Sequence, residues 1–459
     1  MKCWERTESP ENLAKRGMMK AKAQGTGQSQ FLQPDLKSQL DPRQPLYRLG
    51  ETIPWGYFEE EFGKYYSEEG RPAKPVRLMV ALLILKQMHQ LGDRTVVEQW
   101  VMNPYWQHFS GEEVFQWEMP VEPSDMVHFR NRIGEAGVEK ILAVSVGIHK
   151  VEANEIKEVI VDTTVQEKAI QYPTDSKLHL KIINRCRKLA KKEGVKLRQS
   201  YTRTVKKLVR QVRFGRRTTD GAKRARRAMR KLKTIAGRLV RELDRQLSAE
   251  ALNAHQESLN LYRRVLRQKK TDQNKIYSLH APEVACIAKG KEHKKYEFGA
   301  KASVALDTKN GLIVGALSFT GNPYDGHTLE PTLNQIHRVM GAHPRTAIVD
   351  RGYRGRTQMG DTEILIPDNG RKTSESRKAY LRKKFRLRAG IEPIIGHLKT
   401  RFKLTRNWLK GSAGDQINLL LAAAAFNFKK WLNQAASFCF HFLLILKSLL
   451  FSSKTQGAF

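Results

Sequence analysis

The sequence has few cysteines, and they form no recognisable pattern. The chain of 459 residues contains four, which are Cys3, Cys186, Cys286 and Cys439. None belongs to a CxxC pair, and no histidine lies at the spacing of a zinc site. This arrangement argues against a disulfide framework and a structural zinc site, and it favours a reducing compartment. We therefore expect a cytoplasmic protein.

Long apolar runs are also scarce. The first 30 residues are polar and lack the apolar core of a signal peptide. We expect residues 1–40 to be disordered, and translation can begin at Met18 or Met19 instead of Met1. Residues 436–459 form an apolar C-terminal tail, but its apolar stretch of 14 residues is shorter than the roughly 18 to 20 that a bilayer span needs. The tail is interpreted as a packed helix or a read-through segment.

Acidic residues are in a clear minority. Lys and Arg number 82 against 46 Asp and Glu, which gives a formal net charge of +36. Like charges repel one another in a compact fold, so this excess indicates a polyanionic partner. We interpret that partner as nucleic acid rather than a membrane surface.

Residues 41–150 are predicted to form a helical domain. Apolar residues are dense between Val76 and Gln90, and a further apolar pattern at helical spacing follows the Ser/Asp cap at Ser124 and Asp125. Such helices can dock in a DNA groove as a helix-turn-helix does, or they can serve packing or dimerisation. The sequence leaves both roles open.

Residues 151–435 are predicted to form a mixed α/β domain. Five stretches are rich in β-branched or aromatic residues and end in turn residues, as strands do. They are residues 158–164, 296–307, 311–321, 345–353 and 362–367. A helix is predicted over residues 326–342, between the third and fourth strands, and another near Glu392. We expect a mixed sheet with helices packed on it.

A basic helical insertion, residues 175–275, interrupts this domain after its first strand. Residues 177–245 carry 26 Lys and Arg against four acids, a net charge of +22, and their leucines recur at helical spacing. Aromatic residues are nearly absent, which favours contact with a duplex backbone over stacking on single-stranded bases. A solvated face is the alternative. We predict phosphate contacts by four arginines, Arg224, Arg226, Arg227 and Arg230.

Two aspartates follow apolar runs in matching contexts. Asp162 closes "VIV" and Asp350 closes "AIV", so we expect each to project from the carboxyl end of a strand. A lone aspartate there is most often a turn former or a helix cap. Together with Glu392, however, they offer three oxygen ligands that suit Mg²⁺ or Mn²⁺. Two such ions can activate an attacking oxygen and stabilise a leaving one in phosphodiester chemistry.

The stretch "FRLRAGIEPIIGHLK" contains one acidic residue, Glu392, among basic residues. A continuous helix from Phe385 to Lys399 would place Arg388, Glu392 and Lys399 on one face, where cations can bind phosphate beside the carboxylate. Pro393 either kinks this helix or marks its beginning. If the helix begins there, Arg388 leaves the shared face. The alternative is a surface helix with an Arg–Glu pair four residues apart.

Three motifs together resemble the active-site blocks of DDE transposases from bacterial insertion sequences, of the type grouped as families four and five. They are "VDTT" at residues 161–164, "IVDRGYRG" at 348–355 and "IEPIIGHLK" at 391–399. That group also has a Tyr, Arg, Glu, Lys signature with gaps of two, three and six residues. This sequence has Phe385, Arg388, Glu392 and Lys399 at those gaps, so a phenylalanine replaces the tyrosine and removes its hydroxyl. The resemblance covers about residues 50–430.

The resemblance implies an RNase H-like catalytic domain with Asp162, Asp350 and Glu392 as the triad that binds two Mg²⁺ or Mn²⁺ ions. Similar enzymes bind the terminal inverted repeats of their element as double-stranded DNA, cut at its ends and join the freed 3′ hydroxyl to target DNA. Contacts with DNA are expected from Arg388 and Lys399 near the scissile phosphate, and from Arg351. A homodimer on DNA and association with the bacterial nucleoid are expected as well.

Two other functions remain open from the sequence. One is a DNA-binding regulator without catalysis, against which the intact set of three acids argues. The other is an RNase H-like nuclease or resolvase that cuts without strand transfer. Joining of a pre-cut end to plasmid DNA would distinguish the transposase from both.

Overall fold

The computed structural model describes residues 18–19, 34–66, 71–152, 155–215, 218–269, 271–288, 294–367 and 374–452, with backbone alone for 18–19, 71–72 and 436–452. Most of the segment predicted to be disordered, residues 1–40, lies outside this set. Its last part forms a short helix in which Leu36 is buried. Met18–Met19 pair in parallel with Arg71–Pro72.

Seven helices precede the first long strand within the described ranges. They are α1 (Leu36–Gln39), α2 (Pro45–Thr52), α3 (Trp55–Gly63), α4 (Val76–Met88), α5 (Asp93–Val101), α6 (Pro104–Phe109) and α7 (Pro123–Gly147). Proline stands in the first turn of α2, α6 and α7, where no intrahelical donor is lost. Helix α4 is buried from Leu78 to Met88 because its apolar residues surround the whole helix. The prediction of helices in this region is confirmed.

The chain divides into two compact units, and the smaller one comprises residues 167–301 and 320–322. It contains the basic insertion as five helices. They are α8 (Asp175–Lys192), α9 (Thr202–Phe214), α10 (Thr219–Gln246), α11 (Ala249–Ala254) and α12 (Gln256–Arg267). Their apolar faces share one core, in which Leu232, Ile235 and Leu239 of α10 are buried.

A mixed sheet of seven strands lies at the centre of the α/β part. The strands are β1 (Glu158–Glu167), β2 (Ala285–Ala288), β3 (Tyr296–Asp307), β4 (Ile313–Phe319), β5 (Thr346–Ile348), β6 (Gln358–Met359) and β7 (Thr362–Leu365). Their order is β2-β3-β1-β5-β7-β6, and β4 pairs with β3. Neighbours β1, β5 and β7 run parallel, whereas β6 is antiparallel to β7. All five predicted strands are present.

The remaining helices are α13 (Asp325–Met340), α14 (Glu375–Arg388), α15 (Ile391–Arg401) and α16 (Gly411–Ser452). Side chains alternate between the two faces of the sheet. Val159 and Val161 join a core with Leu333 of α13. Ile160 joins the large core that contains Leu420 of α16 and the buried residues of α4. The boundary predicted near residue 150 therefore lies within one shared core.

The apolar C-terminal tail continues α16, whose backbone is helical to Ser452. Within the described residues, no helix has both the length and the apolar character that a bilayer span requires. The described cysteines, Cys186 and Cys286, are free thiols.

Candidate active site

Asp162 lies on β1, and Asp350 lies two residues beyond the end of the adjacent parallel strand β5. The register pairs Glu158 with Thr346 and Ile160 with Ile348. Continuing it by two residues sets Asp162 beside Asp350, immediately after β5 ends. Neighbouring strands lie about 4.7–4.9 Å apart, so the two carboxylates start from neighbouring points of a rigid sheet. The structure thus brings together the first two predicted site residues.

The predicted position of Asp162 at the end of its strand is wrong. Strand β1 continues to Glu167, and Asp162 is a partly exposed residue in its middle. The strand continues because the buried residues Thr163, Thr164 and Val165 are β-branched and suit a pleated surface. Asp350 does follow the end of β5, where its Oδ1 accepts a hydrogen bond of 2.8 Å from the amide of Gly352.

A third aspartate, which the sequence reading missed, lies at the same place. Asp325 is the first residue of α13, and its Oδ1 accepts a hydrogen bond of 3.0 Å from the hydroxyl of Thr163. A Cβ atom placed on Gly352 would lie 2.9 Å from both Asp325 Oδ2 and Asp350 Oδ1. The two carboxylates therefore converge on the space that this glycine leaves open.

A buried tyrosine faces these acids. Tyr353 is 3% exposed, and its hydroxyl has no hydrogen-bond partner among the described residues. Burial raises the pKa of Tyr353 well above its ordinary value, and the negative charges of Asp162, Asp325 and Asp350 add to this rise. The phenol therefore stays protonated and keeps a donor hydrogen beside the three carboxylates.

Glu392 is not brought to the two aspartates by any contact that the structure shows. It lies in the first turn of α15, with 68% of its side chain exposed, and its Oε1 is 3.9 Å from the Arg388 guanidinium. In the part of the chain that is described, no group of three His, Cys, Asp or Glu side chains is spaced to hold a metal ion. The site therefore consists of an acidic cluster, formed by Asp162, Asp325 and Asp350, and a separate exposed glutamate, Glu392.

The prediction of one helix from Phe385 to Lys399 is wrong. Helix α14 ends at Arg388, and α15 begins at Ile391, with Gly390 as its N-cap. The break agrees with the second of the two possibilities raised by Pro393, which occupies the first turn of α15, where a missing N–H costs least. Arg388 consequently belongs to the preceding helix and does not share a helical face with Lys399.

Helix α14 is anchored to the base of β1. Lys384 Nζ lies 2.6 Å from Glu158 Oε1, and Phe385 packs against the large core. The aromatic ring at position 385 therefore has a packing role that does not require a hydroxyl. Arg351 is exposed, and Lys399 is half-buried on α15.

The four arginines predicted to contact phosphate are all exposed on α10. We call Arg224, Arg226, Arg227 and Arg230 the arginine face. Among the described residues, none of their guanidinium groups forms an ion pair or hydrogen bond. Arg224 and Arg227 also line a groove between α9 and α10 together with Arg203, Lys207 and Lys231. A groove lined by five cations is suited to a chain of phosphates.

Two family profiles match the chain. The profile described as "Transposase domain (DUF772)" matches residues 34–132, and the profile described as "Transposase DDE domain" matches residues 266–428. The chain belongs to the DDE transposases of insertion-sequence type. This transposase is also 46% identical over 195 residues to "Uncharacterized protein ORF8 in nfe locus" of Rhizobium meliloti. The alignment covers 41% of this chain and 93% of that protein. No solved structure shows significant similarity to the transposase.

The two matched ranges include some of the predicted site residues of the transposase and leave out others. Asp350 and Glu392 lie within the DDE match, whereas Asp162 and the arginine face lie outside both matches. Asp325 lies within the DDE match, but a single aspartate before a predicted helix is typical of an N-terminal cap. Only the fold brings it near Thr163, 162 positions away in sequence.

Proposed function

We propose that this chain is the transposase that binds the terminal inverted repeats of its insertion sequence, cleaves DNA at the element ends and joins them to target DNA. The observation that carries this proposal is that Asp162 lies on β1 and Asp350 follows the adjacent parallel strand β5, each two residues beyond the paired residues Ile160 and Ile348. A DDE transposase needs two acids held at a fixed spacing on a rigid support. The order of β4, β3, β1, β5 and β7, and the parallel pairing of β1, β5 and β7, support an RNase H-like catalytic domain.

The donor chemistry of these residues, though not their spacing among the described residues, suits divalent ions of the kind used in this family. The donors are carboxylate oxygens, which hard cations prefer. Gly352 leaves open the space on which the carboxylates of Asp325 and Asp350 converge, and the charges of Asp162, Asp325 and Asp350 all act on the buried Tyr353 hydroxyl. We propose that Asp162, Asp350 and Glu392 hold two Mg²⁺ or Mn²⁺ ions. When bound, such ions activate the attacking oxygen and stabilise the leaving oxygen of a phosphodiester.

Glu392 must approach the two aspartates for this role. Its exposed position after the break at Ala389 and Gly390 leaves its carboxylate accessible. DNA phosphates would compete with Glu392 for the Arg388 guanidinium, whose contact with the carboxylate is only 3.9 Å long. Arg388 and Lys399 would then bind phosphates near the scissile bond, with Arg351 as a further contact.

The basic insertion supplies the sequence-independent part of DNA binding in this proposal. The arginine face is exposed and free of counter-charges in the described structure, so its guanidinium groups are available to phosphate oxygens. Two element ends must be brought together for joining, which favours a homodimer on double-stranded DNA. Because the proposed substrate is DNA, we take the nucleoid to be the place where the protein acts.

Asp350→Asn tests the catalytic assignment. The substitution removes one ligand charge and leaves the basic surface unchanged, so cleavage of a terminal-repeat duplex in Mg²⁺ should fall below detection while duplex affinity stays within about twofold. The matched control is Asp361→Asn, because Asp361 is an exposed aspartate in the same unit. It should cleave as the wild type does.

Cleavage by Asp350→Asn within tenfold of the wild-type rate would contradict the assignment. A separate assay, the joining of a pre-cut end to plasmid DNA, distinguishes a transposase from a nuclease and from a regulator. Wild-type protein that cuts but never joins would be a nuclease, and protein that binds terminal DNA without cutting would be a regulator.

A further inference from the structure

Asp325 does not belong to the triad, but it accepts a hydrogen bond from Thr163, next to Asp162, and lies close to Asp350 at the space left by Gly352. We propose that Asp325 is a positioning residue of the divalent-ion site, which orients Thr163 beside Asp162 and adds a third negative charge beside Asp350. This inference rests on the function proposed above.

The link to Asp162 passes through Thr163. The Thr163 hydroxyl donates to Asp325 Oδ1 at 3.0 Å, and the Thr163 amide donates to Asp162 Oδ1 at 2.7 Å. Thr163 is 6% exposed, so its hydroxyl has a strong requirement for a partner. One residue thus connects the two carboxylates and restricts the orientation of the Asp162 side chain.

The link to Asp350 uses the other oxygen of the same carboxylate. Asp325 Oδ2 and Asp350 Oδ1 both lie 2.9 Å from the point that a Cβ on Gly352 would occupy. Asp350 Oδ1 is held in turn by the Gly352 amide at 2.8 Å. One oxygen of Asp325 therefore binds Thr163, the residue after Asp162, and the other lies at the space beside Asp350.

The Tyr353 hydroxyl is the independent sign that this cluster takes a ligand. It is buried and forms no hydrogen bond of ordinary geometry among the described residues, and the negative charges of the three aspartates act on it together. Leaving a buried hydroxyl unpaired costs free energy. Three neighbouring carboxylates also repel one another. A hydrated cation would relieve both costs, because its charge offsets the repulsion and one of its waters can accept from the phenol.

A structural role is the competing interpretation. An aspartate in the first turn of a helix interacts favourably with the helix dipole. Such a role would change the stability of α13 and leave the affinity for metal unchanged. Metal binding, measured without DNA, therefore separates the two roles.

The experiment measures Mn²⁺ affinity of the full chain from the electron paramagnetic resonance signal of free Mn²⁺. Loss of an outer partner of a metal ligand typically weakens affinity about 10–100-fold, and we expect this for Asp325→Asn. Thr163→Val should weaken Mn²⁺ binding as well, because it removes the hydroxyl. Thr163→Ser keeps the hydroxyl and should restore affinity to within about threefold of wild type. Asp361→Asn is the control and should bind as wild type does.

Mn²⁺ affinity of Asp325→Asn within twofold of wild type would overturn the inference, as would equal affinities of Thr163→Val and Thr163→Ser. If Asp325→Asn fails to fold, as judged by circular dichroism, the Thr163 pair decides alone. Normal Mn²⁺ binding by Asp325→Asn together with loss of cleavage in Asp350→Asn would refute this inference and leave the proposed function standing. Wild-type cleavage and joining by Asp350→Asn would instead refute the proposed site.

Discussion

The space at Gly352 allows a sharp test of the acidic cluster. In Gly352→Ala the new Cβ would lie 2.9 Å from Asp325 Oδ2 and from Asp350 Oδ1, closer than Cβ atoms come to other atoms in real structures. Both carboxylates must move back by several tenths of an ångström. The backbone itself accepts alanine, because Gly352 is not among the glycines with positive φ. The substitution therefore disturbs the carboxylates without straining the chain.

The expected loss follows from this displacement. A misplacement of about 1 Å can cost about 10²-fold in rate, so we expect cleavage of terminal DNA by Gly352→Ala to fall about 10- to 100-fold. Overpacking typically costs about 1–3 kcal/mol, so the variant should remain folded in thermal denaturation. Gly56→Ala is the control, since a Cβ there meets nothing within 4 Å. A wild-type cleavage rate in Gly352→Ala would show that these carboxylates need not hold their observed positions.

Two further predictions concern the basic insertion and a buried ion cluster. Replacing the arginine face with glutamine should lower the slope of log affinity against log salt by about 0.9 per lost contact, equally on terminal and random duplexes; an unchanged slope would indicate a solvated face. Asp93→Asn removes the carboxylate that lies 2.6 Å from Lys86 Nζ and 2.7 Å from the Arg130 guanidinium. It should cost about 3–5 kcal/mol in denaturant unfolding. Burial lowers the pKa of Lys86 to about 8 from 10.5. The unfolded chain thus binds more protons between these values, and this lysine's contribution to stability should rise with pH there.

The strands could be predicted because each is a local pattern. β3 matches its predicted range from Tyr296 to Asp307, and β1 was recognised from its apolar run. Its length was underestimated because an aspartate usually ends a strand, whereas Thr163 and Thr164 continue it through burial against α13 and the core. The break between α14 and α15 was foreseen as one of two outcomes, since Gly390 and Pro393 are both helix-breaking signals.

Only part of the site could be predicted from the sequence, and the reason is physical. Asp162 and Asp350 are marked by their own neighbours, but their common level depends on the pairing of β1 with β5. No residue near Asp325 in the sequence distinguishes it from an ordinary aspartate at a helix N-terminus. Its role depends on a contact with Thr163 that exists only after the sheet and α13 have packed. The apolar core shared by α4 and α16 is likewise a long-range contact that periodicity does not reveal.

The position of the insertion in the chain affects how the protein is made. β1 is synthesised long before both of its sheet neighbours; at about 5–20 residues per second, β3 follows roughly 7 to 27 s later and β5 roughly 10 to 40 s later. The helices α8–α12 have their own core and can form during this interval. The apolar segment Val159–Val161 meanwhile has no sheet to join, which exposes the nascent chain to aggregation and makes it a candidate for chaperone binding. The apolar segment of β1 is therefore unpaired until β3 and then β5 have been made, and slow translation across the insertion would lengthen the period of risk.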